Sequence, residues 1–137
     1  MTTALRIPQE ILDIEVAELL RVKPGYITLG ELIKINPLAL SSSGRIDYLS
    51  ALDRQESWMC ALKQEALVAI AGEYADEDGG IFGCVDDEER EDVATALRLS
   101  PTSAQSRIDV ARVLVGHLPN TISALSTGEI SVAHADA

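Results

Sequence analysis

This sequence predicts an all-α fold: a helical bundle that contains one long helix. Of its 137 residues, 47% are hydrophobic but only 4% are aromatic, so a core has to be built from Leu, Ile, Val and Ala. Chains rich in Ala and Leu favour helix over strand. The five prolines stand mostly at the boundaries of helically periodic runs. The length fits a single helical domain covering residues 1–137.

The first two helices are predicted near the N-terminus. Pro8 opens a periodic segment that ends at Lys23-Pro24-Gly25, as expected for proline at a helix start and Pro-Gly after its end. Thr28 and Glu31 have the spacing of a capping box, which predicts a short helix that Pro37 stops. The apolar positions of the first segment recur at helical spacing: Ile11, Leu12, Val16, Leu19 and Leu20.

A long helix is predicted from about residue 44 to 74, after the polar break Ser41-Ser-Ser-Gly44. At 1.5 Å per residue it would be about 45 Å long, which requires other helices or a second subunit to pack along it. One stripe of this helix is apolar and consists of Ile46, Leu49, Leu52, Met59, Leu62, Ala66, Leu67 and Ile70. The opposite side carries Arg54, Glu56, Lys63 and Glu65.

An acidic segment interrupts the helical pattern. Residues 73–92 hold ten carboxylates against Arg90 alone, together with three glycines. Clustered like charges resist packing, so residues 75–90 are predicted to form an exposed connector. The carboxylates at 86–92 favour the helix that follows through its dipole. The run lacks the alternating Asp-x-Asp-x-Asp-Gly spacing of a calcium loop.

A helix-turn-helix-like pair is predicted from about residue 90 to 115. Ser100 is a good N-cap and Pro101 suits the first position of the second helix. Because Gln and Arg can reach base edges and Ser and Thr can bond phosphates, the outward residues of that helix are candidate DNA contacts. These candidates are Thr102, Ser103, Gln105, Ser106, Arg107 and Arg112.

Charge leaves two interpretations of this pair open. The formal net charge is −11, and residues 98–137 alone are neutral, with three arginines against three carboxylates. Nucleic-acid binding draws most of its affinity from basic side chains, and Asp109 repels phosphate. The turn also carries Arg98 where glycine is usual. The residues alone therefore favour two packed helices joined by a capped turn, with a DNA-reading pair as the alternative.

The C-terminal region continues the helical pattern. Leu118-Pro119 breaks the chain, residues 120–125 form a short helix, and Gly128 ends it. A further helix begins at Glu129 and reaches Ala137 after only nine residues, so it needs a partner or further chain to be stable.

No catalytic chemistry is predicted. The sequence contains no nucleophile elbow, phosphate-binding loop or zinc motif. His117 is expected at the surface, and His134 has no evident partner. Cys60 and Cys84 are expected to be free thiols, as in a cytoplasmic protein. No apolar run is long enough to span a membrane. We expect no cofactor and no metal ligands.

Three stretches together resemble the actinobacterial domain of unknown function 222, also called the 13E12 repeat family. They are Asp53-Arg-Gln-Glu-Ser-Trp58, then Val93-Ala94-x-Ala96-Leu97-x-Leu99-Ser100-Pro101, and Leu118-Pro119 followed by Gly128-Glu129-Ile130. The resemblance covers roughly residues 35–137. It implies a helical domain that commonly precedes an HNH endonuclease domain, whose catalytic motif has no counterpart here.

The resemblance implies a non-catalytic accessory domain of an HNH-endonuclease-associated protein, with residues 91–115 assisting DNA engagement. The alternative is a protein-interaction or dimerisation module without DNA contact, favoured by the long amphipathic helix and the acidic surface. The partners left open are DNA, a second copy of the chain, and a C-terminal nuclease domain. A membrane is not among them.

Overall fold

The computed structural model describes residues 7–72 and 87–135, apart from the side chains of residues 133 and 134. Within these ranges it is a helical bundle without strands, as the sequence predicts. No described helix combines the length and the apolarity that a bilayer-spanning segment requires. The helices are α1 Gln9–Arg21, α2 Tyr26–Ile33, α3 Ser42–Ala71, α4 Asp87–Leu97, α5 Pro101–His117, α6 Pro119–Ser126 and α7 Val132–Ala135, with a 3₁₀ turn at Pro37–Ala39.

The capping box predicted in α2 is wrong. The helix begins at Tyr26, after Gly25, so that Thr28 lies inside its first turn instead of capping it. The buried Thr28 hydroxyl donates to the carbonyl oxygen of Lys23 at 3.0 Å. Thr28 therefore holds the α1–α2 link against the helix start. The helix was predicted to continue to about Asn36 and to be stopped by Pro37, but it ends at Ile33, and Pro37 instead opens a separate 3₁₀ turn.

The long helix is confirmed as the 30-residue α3. Its N-cap is Ser41, whose side chain accepts from the Gly44 N–H at 3.1 Å. Its C-cap is Gly72, which has a positive φ of 80° that suits glycine. The prediction extended the helix to about residue 74; Gly72 caps its end, and residues 73 and 74 lie outside the described part of the chain.

The predicted burial of one apolar stripe along α3 is wrong. Several of its large side chains are exposed: Ile46, Leu49, Met59, Leu62 and Ile70. The helix instead buries mainly small and polar residues: Gly44, Ala51, Gln55, Ser57, Ala61, Gln64, Leu67 and Val68. In its first half the buried positions lie on one side, and in its second half they lie on another. The buried residues of α3 do not form a single stripe, because its two halves pack against different neighbours.

Two hydrophobic clusters occupy these two sides of α3. The N-terminal cluster joins Val16 of α1 to Ile35 and Leu40, with Tyr48 of α3 packed against it. The C-terminal cluster joins the end of α3 to α4 and α5 and consists of Leu67, Val68, Val93, Ala94, Ala104, Ile108 and Ala111. Full burial of a Val, Leu or Ile side chain contributes about 1.5–3 kcal/mol. Both clusters depend on α3 for one wall.

Polar side chains of α3 connect the two halves of the molecule. The Arg54 guanidinium donates to the carbonyl oxygen of Leu20 at the end of α1 and, at 3.2 Å, to that of Thr127 after α6. Gln55 accepts from the Gly25 N–H at 3.1 Å. The sequence places Arg54 on the side of the helix opposite the apolar stripe. It is instead half-buried and joins helices that lie far apart in the sequence.

The α4–α5 pair and α6 follow the predicted boundaries closely, whereas the last helix, predicted to begin at Glu129, begins at Val132 as α7. The α4–α5 pair and the break at Leu118 are present, and Gly128 ends α6 with a positive φ of 73°. The predicted connector 75–90 differs at its end, because residues 87–90 form the first turn of α4. Their carboxylates stabilise a helix N-terminus. The rest of that connector lies outside the described residues.

Candidate functional site

The turn between α4 and α5 holds the two helices at a fixed angle. Arg98 has a positive φ of 57°, while the Leu99 N–H donates to the Ala94 carbonyl at 2.9 Å and the Arg98 N–H donates to that of Thr95 at 3.3 Å. This is a Schellman motif, in which an arginine occupies the usual glycine position. Ser100 then caps α5 by accepting from the Ser103 N–H at 3.1 Å. The sequence predicted this cap correctly.

Four of the six candidate DNA contacts are exposed at the start of α5: Thr102, Ser103, Ser106 and Arg107. Some of their hydroxyls already have partners within the helix. Ser103 accepts from the Ser100 hydroxyl at 3.0 Å, and Ser106 donates to the Thr102 carbonyl at 3.2 Å. Arg107 is thus the one exposed cation among the six.

Gln105 is engaged between the two helices. Its amide nitrogen donates to Asp109 at 2.9 Å, and its amide oxygen accepts from Arg90 of α4 at 3.4 Å. Arg90 also pairs with Asp87 in the first turn of α4. The nitrogen and the oxygen of this carboxamide both form hydrogen bonds within the protein. A DNA base could therefore bind Gln105 only by displacing these hydrogen bonds.

Arg112 does not point outward, and the expectation that it does is wrong. It is 4% exposed, and its guanidinium donates to the carbonyl of Gly72 at 2.9 Å and to that of Ala71 at 2.8 Å. These two carbonyls close α3, where a cation is favoured by the helix dipole. Arg112 therefore caps α3 from α5. The periodicity of α5 does not show that this arginine is buried, because it caps a different helix.

The surface around the helix pair is acidic. Residues 87–135 carry four arginines against seven carboxylates, and five of the carboxylates belong to α4. With Arg112 buried, Arg98 and Arg107 are the exposed cations of this range. Residues 98–137 are neutral by themselves, but α4 packs directly on α5. The carboxylates of α4 thus make the surface of the pair acidic.

An apolar groove of about 280 Å³ lies between α3 and α4. Its lining comes mainly from Ala66, Leu67 and Ile70 on one side and Val93, Ala96 and Leu97 on the other. Lys63 and Asp92 stand at its edges. On α3 the lining extends from Lys63 to Ile70, which is about half-exposed.

A second pocket, of about 290 Å³, lies on the other side of Leu67 and Leu97. Cys60, a free thiol, and Gln64 line it, with Arg107 on the α5 side. Gln64 is 8% exposed; its amide nitrogen lies 3.6 Å from the Cys60 sulfur, and its amide oxygen has no partner. This buried amide could not be predicted, because Gln64 interrupts no pattern in the sequence.

A third apolar surface covers α1, α2 and the 3₁₀ turn. Its large exposed side chains are Ile7, Ile11, Ile14, Val22, Tyr26, Ile27, Ile33 and Leu38. Ile11 and Ile14 lie three residues apart in α1 and thus share one face. Ile7 and Leu38 line a groove of about 740 Å³ between the start of α1 and the 3₁₀ turn.

The two histidines of the chain are His117 and His134. His117 is exposed at the end of α5, as expected, and the His134 side chain lies outside the described part of the structure. In residues 7–72 and 87–135, no three His, Cys, Asp or Glu side chains converge in a way that could hold a metal ion. Comparison with protein-family models, with curated proteins and with solved structures finds no match.

Proposed function

We propose that this chain is a protein-interaction module that associates through the exposed apolar face of α1 and α2. The observation that supports this is the large number of apolar side chains left exposed on α1, α2 and the 3₁₀ turn. Scattered apolar residues are ordinary, but runs at helical spacing on adjacent helices are typical of interaction sites. Ile33, for example, is 70% exposed on a helix whose Leu32 is fully buried. No step of this role requires catalysis.

A second copy of the chain is the simplest partner for such a face, since most soluble oligomers are symmetric homo-oligomers. The test is sedimentation velocity on the full chain over about a hundredfold range of concentration, within the affinity range of weak association. We expect reversible self-association that Ile14→Lys abolishes. Ser123→Lys, which adds the same charge at an exposed site on α6, should leave it unchanged. A monomer at every concentration would contradict the proposal.

The second candidate function is an accessory domain of an HNH-endonuclease-associated protein that engages DNA through α5. It is supported by a contact between two of the sequence stretches that carry the family resemblance. Arg54, from the first stretch, donates to Thr127 and lies against Gly128, from the last. A Cβ added at Gly128 would lie 2.9 Å from the Cβ of Arg54, so the glycine leaves room for the arginine. Residues that resemble one family signature thus form one contact.

The DNA role is tested by fluorescence anisotropy with a labelled duplex and the full chain. If α5 contacts phosphate, Arg107→Ala should weaken binding about threefold or more and reduce the salt dependence. Arg21→Ala removes one exposed charge from α1 and is the matched control, which should change affinity less. An Arg107→Ala affinity equal to that of the control would contradict a role for α5.

A further inference from the structure

The groove between α3 and α4 differs from the apolar face of α1 and α2 because the helix that forms one of its walls, α4, carries five carboxylates, of which Asp92 lines the groove. Its floor is formed by the buried Leu67 and Val93, and its sides are kept low by Ala66 and Ala96. Small side chains at the sides leave room for large side chains from outside. The half-exposed Ile70 marks one end of the opening.

The length of the opening matches a short helix. From Lys63 to Ile70 the part of α3 that lines the groove extends over seven residues, which is about 10 Å at 1.5 Å per residue. That distance accommodates about two turns of a partner helix. Such a helix would insert its i, i+4 and i+7 side chains, which is the usual way in which an amphipathic helix occupies an apolar groove.

The charge on the α4 side indicates which kind of helix fits. Asp92 lies at the groove edge, and Glu89 precedes Val93 by one turn and therefore shares its face. Neither carboxylate takes part in an ion pair within the described residues. Lys63, the one cation lining the groove, belongs to the opposite wall. A partner therefore gains most from basic side chains on its flank toward α4.

We propose that the α3–α4 groove binds a basic amphipathic helix of a partner protein, with its apolar side chains over Leu67 and Val93 and its Lys or Arg side chains beside Glu89 and Asp92. This inference rests on the proposed function, since it assigns a partner class to an interaction module. It concerns a different surface from the self-association face. A second copy fits this groove less well because each chain carries a net charge of −11.

The test uses three labelled 18-residue helical peptides with the same leucine face and with Lys, Gln or Glu at the polar positions. Binding to the full chain is measured by fluorescence anisotropy at low and high salt. We expect the Lys peptide to bind at least about tenfold more tightly than the Glu peptide at low salt, and the difference to shrink when screening is strong. Ile70→Lys should weaken the binding of all three peptides.

Charge-reversal variants test the assignment of the carboxylates. Glu89→Lys with Asp92→Lys should reverse the preference toward the Glu peptide, and Lys63→Glu should strengthen binding of the Lys peptide. Ile33→Lys on α2 is the control and should leave peptide binding unchanged. Equal binding of all peptides, or a preference that survives the reversal, overturns the basic-partner assignment. Absence of any binding overturns the assignment of the groove as a helix-binding site. The proposed function is tested separately, by sedimentation of the unmodified chain.

Discussion

Arg98 occupies a backbone conformation that normally belongs to glycine. In the folded state, a left-handed conformation costs a residue with a Cβ about 1–2 kcal/mol, and glycine avoids this cost. The unfolded chain is more flexible with glycine, and this offsets part of the stability gained. We expect Arg98→Gly to raise the free energy of unfolding by about 0.5–1 kcal/mol, as measured by urea denaturation. Arg98→Ala keeps the Cβ and should give no such gain. Equal effects of the two variants would assign the change to the lost charge.

Gly44 is buried where the start of α3 meets α1. A Cβ at this position would overlap the Asp13 carboxylate, which accepts from the Ser41 N–H at 3.1 Å. We expect Gly44→Ala to lower the free energy of unfolding by about 1–3 kcal/mol, because the carboxylate must move and its hydrogen bond is lost. Thermal or urea unfolding measures the change.

Gly30 provides the matched control for this substitution. It also lies in a helix, α2, but a Cβ added there meets no atom within 4 Å. Because alanine is the better helix former, Gly30→Ala should raise stability by about 0.8–1 kcal/mol at most. A loss of stability in Gly30→Ala that matches the loss in Gly44→Ala would show that close approach is not the cause.

The end of α3 depends on a residue that belongs to another helix. Arg112 of α5 donates to the last carbonyls of α3, and hydrogen bonds to a charged group contribute about 1.5–3 kcal/mol. We expect Arg112→Ala to lower the free energy of unfolding by about 2–3 kcal/mol. Arg107→Ala, at an exposed position of the same helix, should change it by less than about 0.5 kcal/mol. Similar values for both would contradict the capping role.

The sequence predicted helix ends much better than helix faces. Ser41, Ser100 and Gly128 mark ends because their side chains or backbone freedom act within a few residues, where the sequence alone shows the partner. Burial along α3 depends on neighbours elsewhere in the chain, and these neighbours change sides halfway. For the same reason the roles of Arg54 and Arg112 could not be predicted. Each acts on carbonyls at least 34 residues away in sequence.

At the scale of the whole molecule, the net charge of −11 opposes self-association. Two copies that meet through α1 and α2 repel one another, and this repulsion is screened beyond about 10 Å at 0.1 M salt. We therefore expect the association constant measured by sedimentation to increase with sodium chloride concentration. Association that weakens with salt would instead indicate that ion pairs hold the two copies together. Peptide binding in the α3–α4 groove should show the opposite dependence.

The two-sided burial of α3 also has a consequence for the order in which the chain is synthesised. Residues up to 71 emerge first and can complete the N-terminal cluster, while the second buried side of α3 still lacks α4, α5 and α6. Chains that expose apolar surface during synthesis are prone to aggregation. Here much of the second buried side consists of Ser57, Ala61 and Gln64, which interact favourably with water or cost little to expose. The unusual composition of this helix thus protects the nascent protein until its second half arrives.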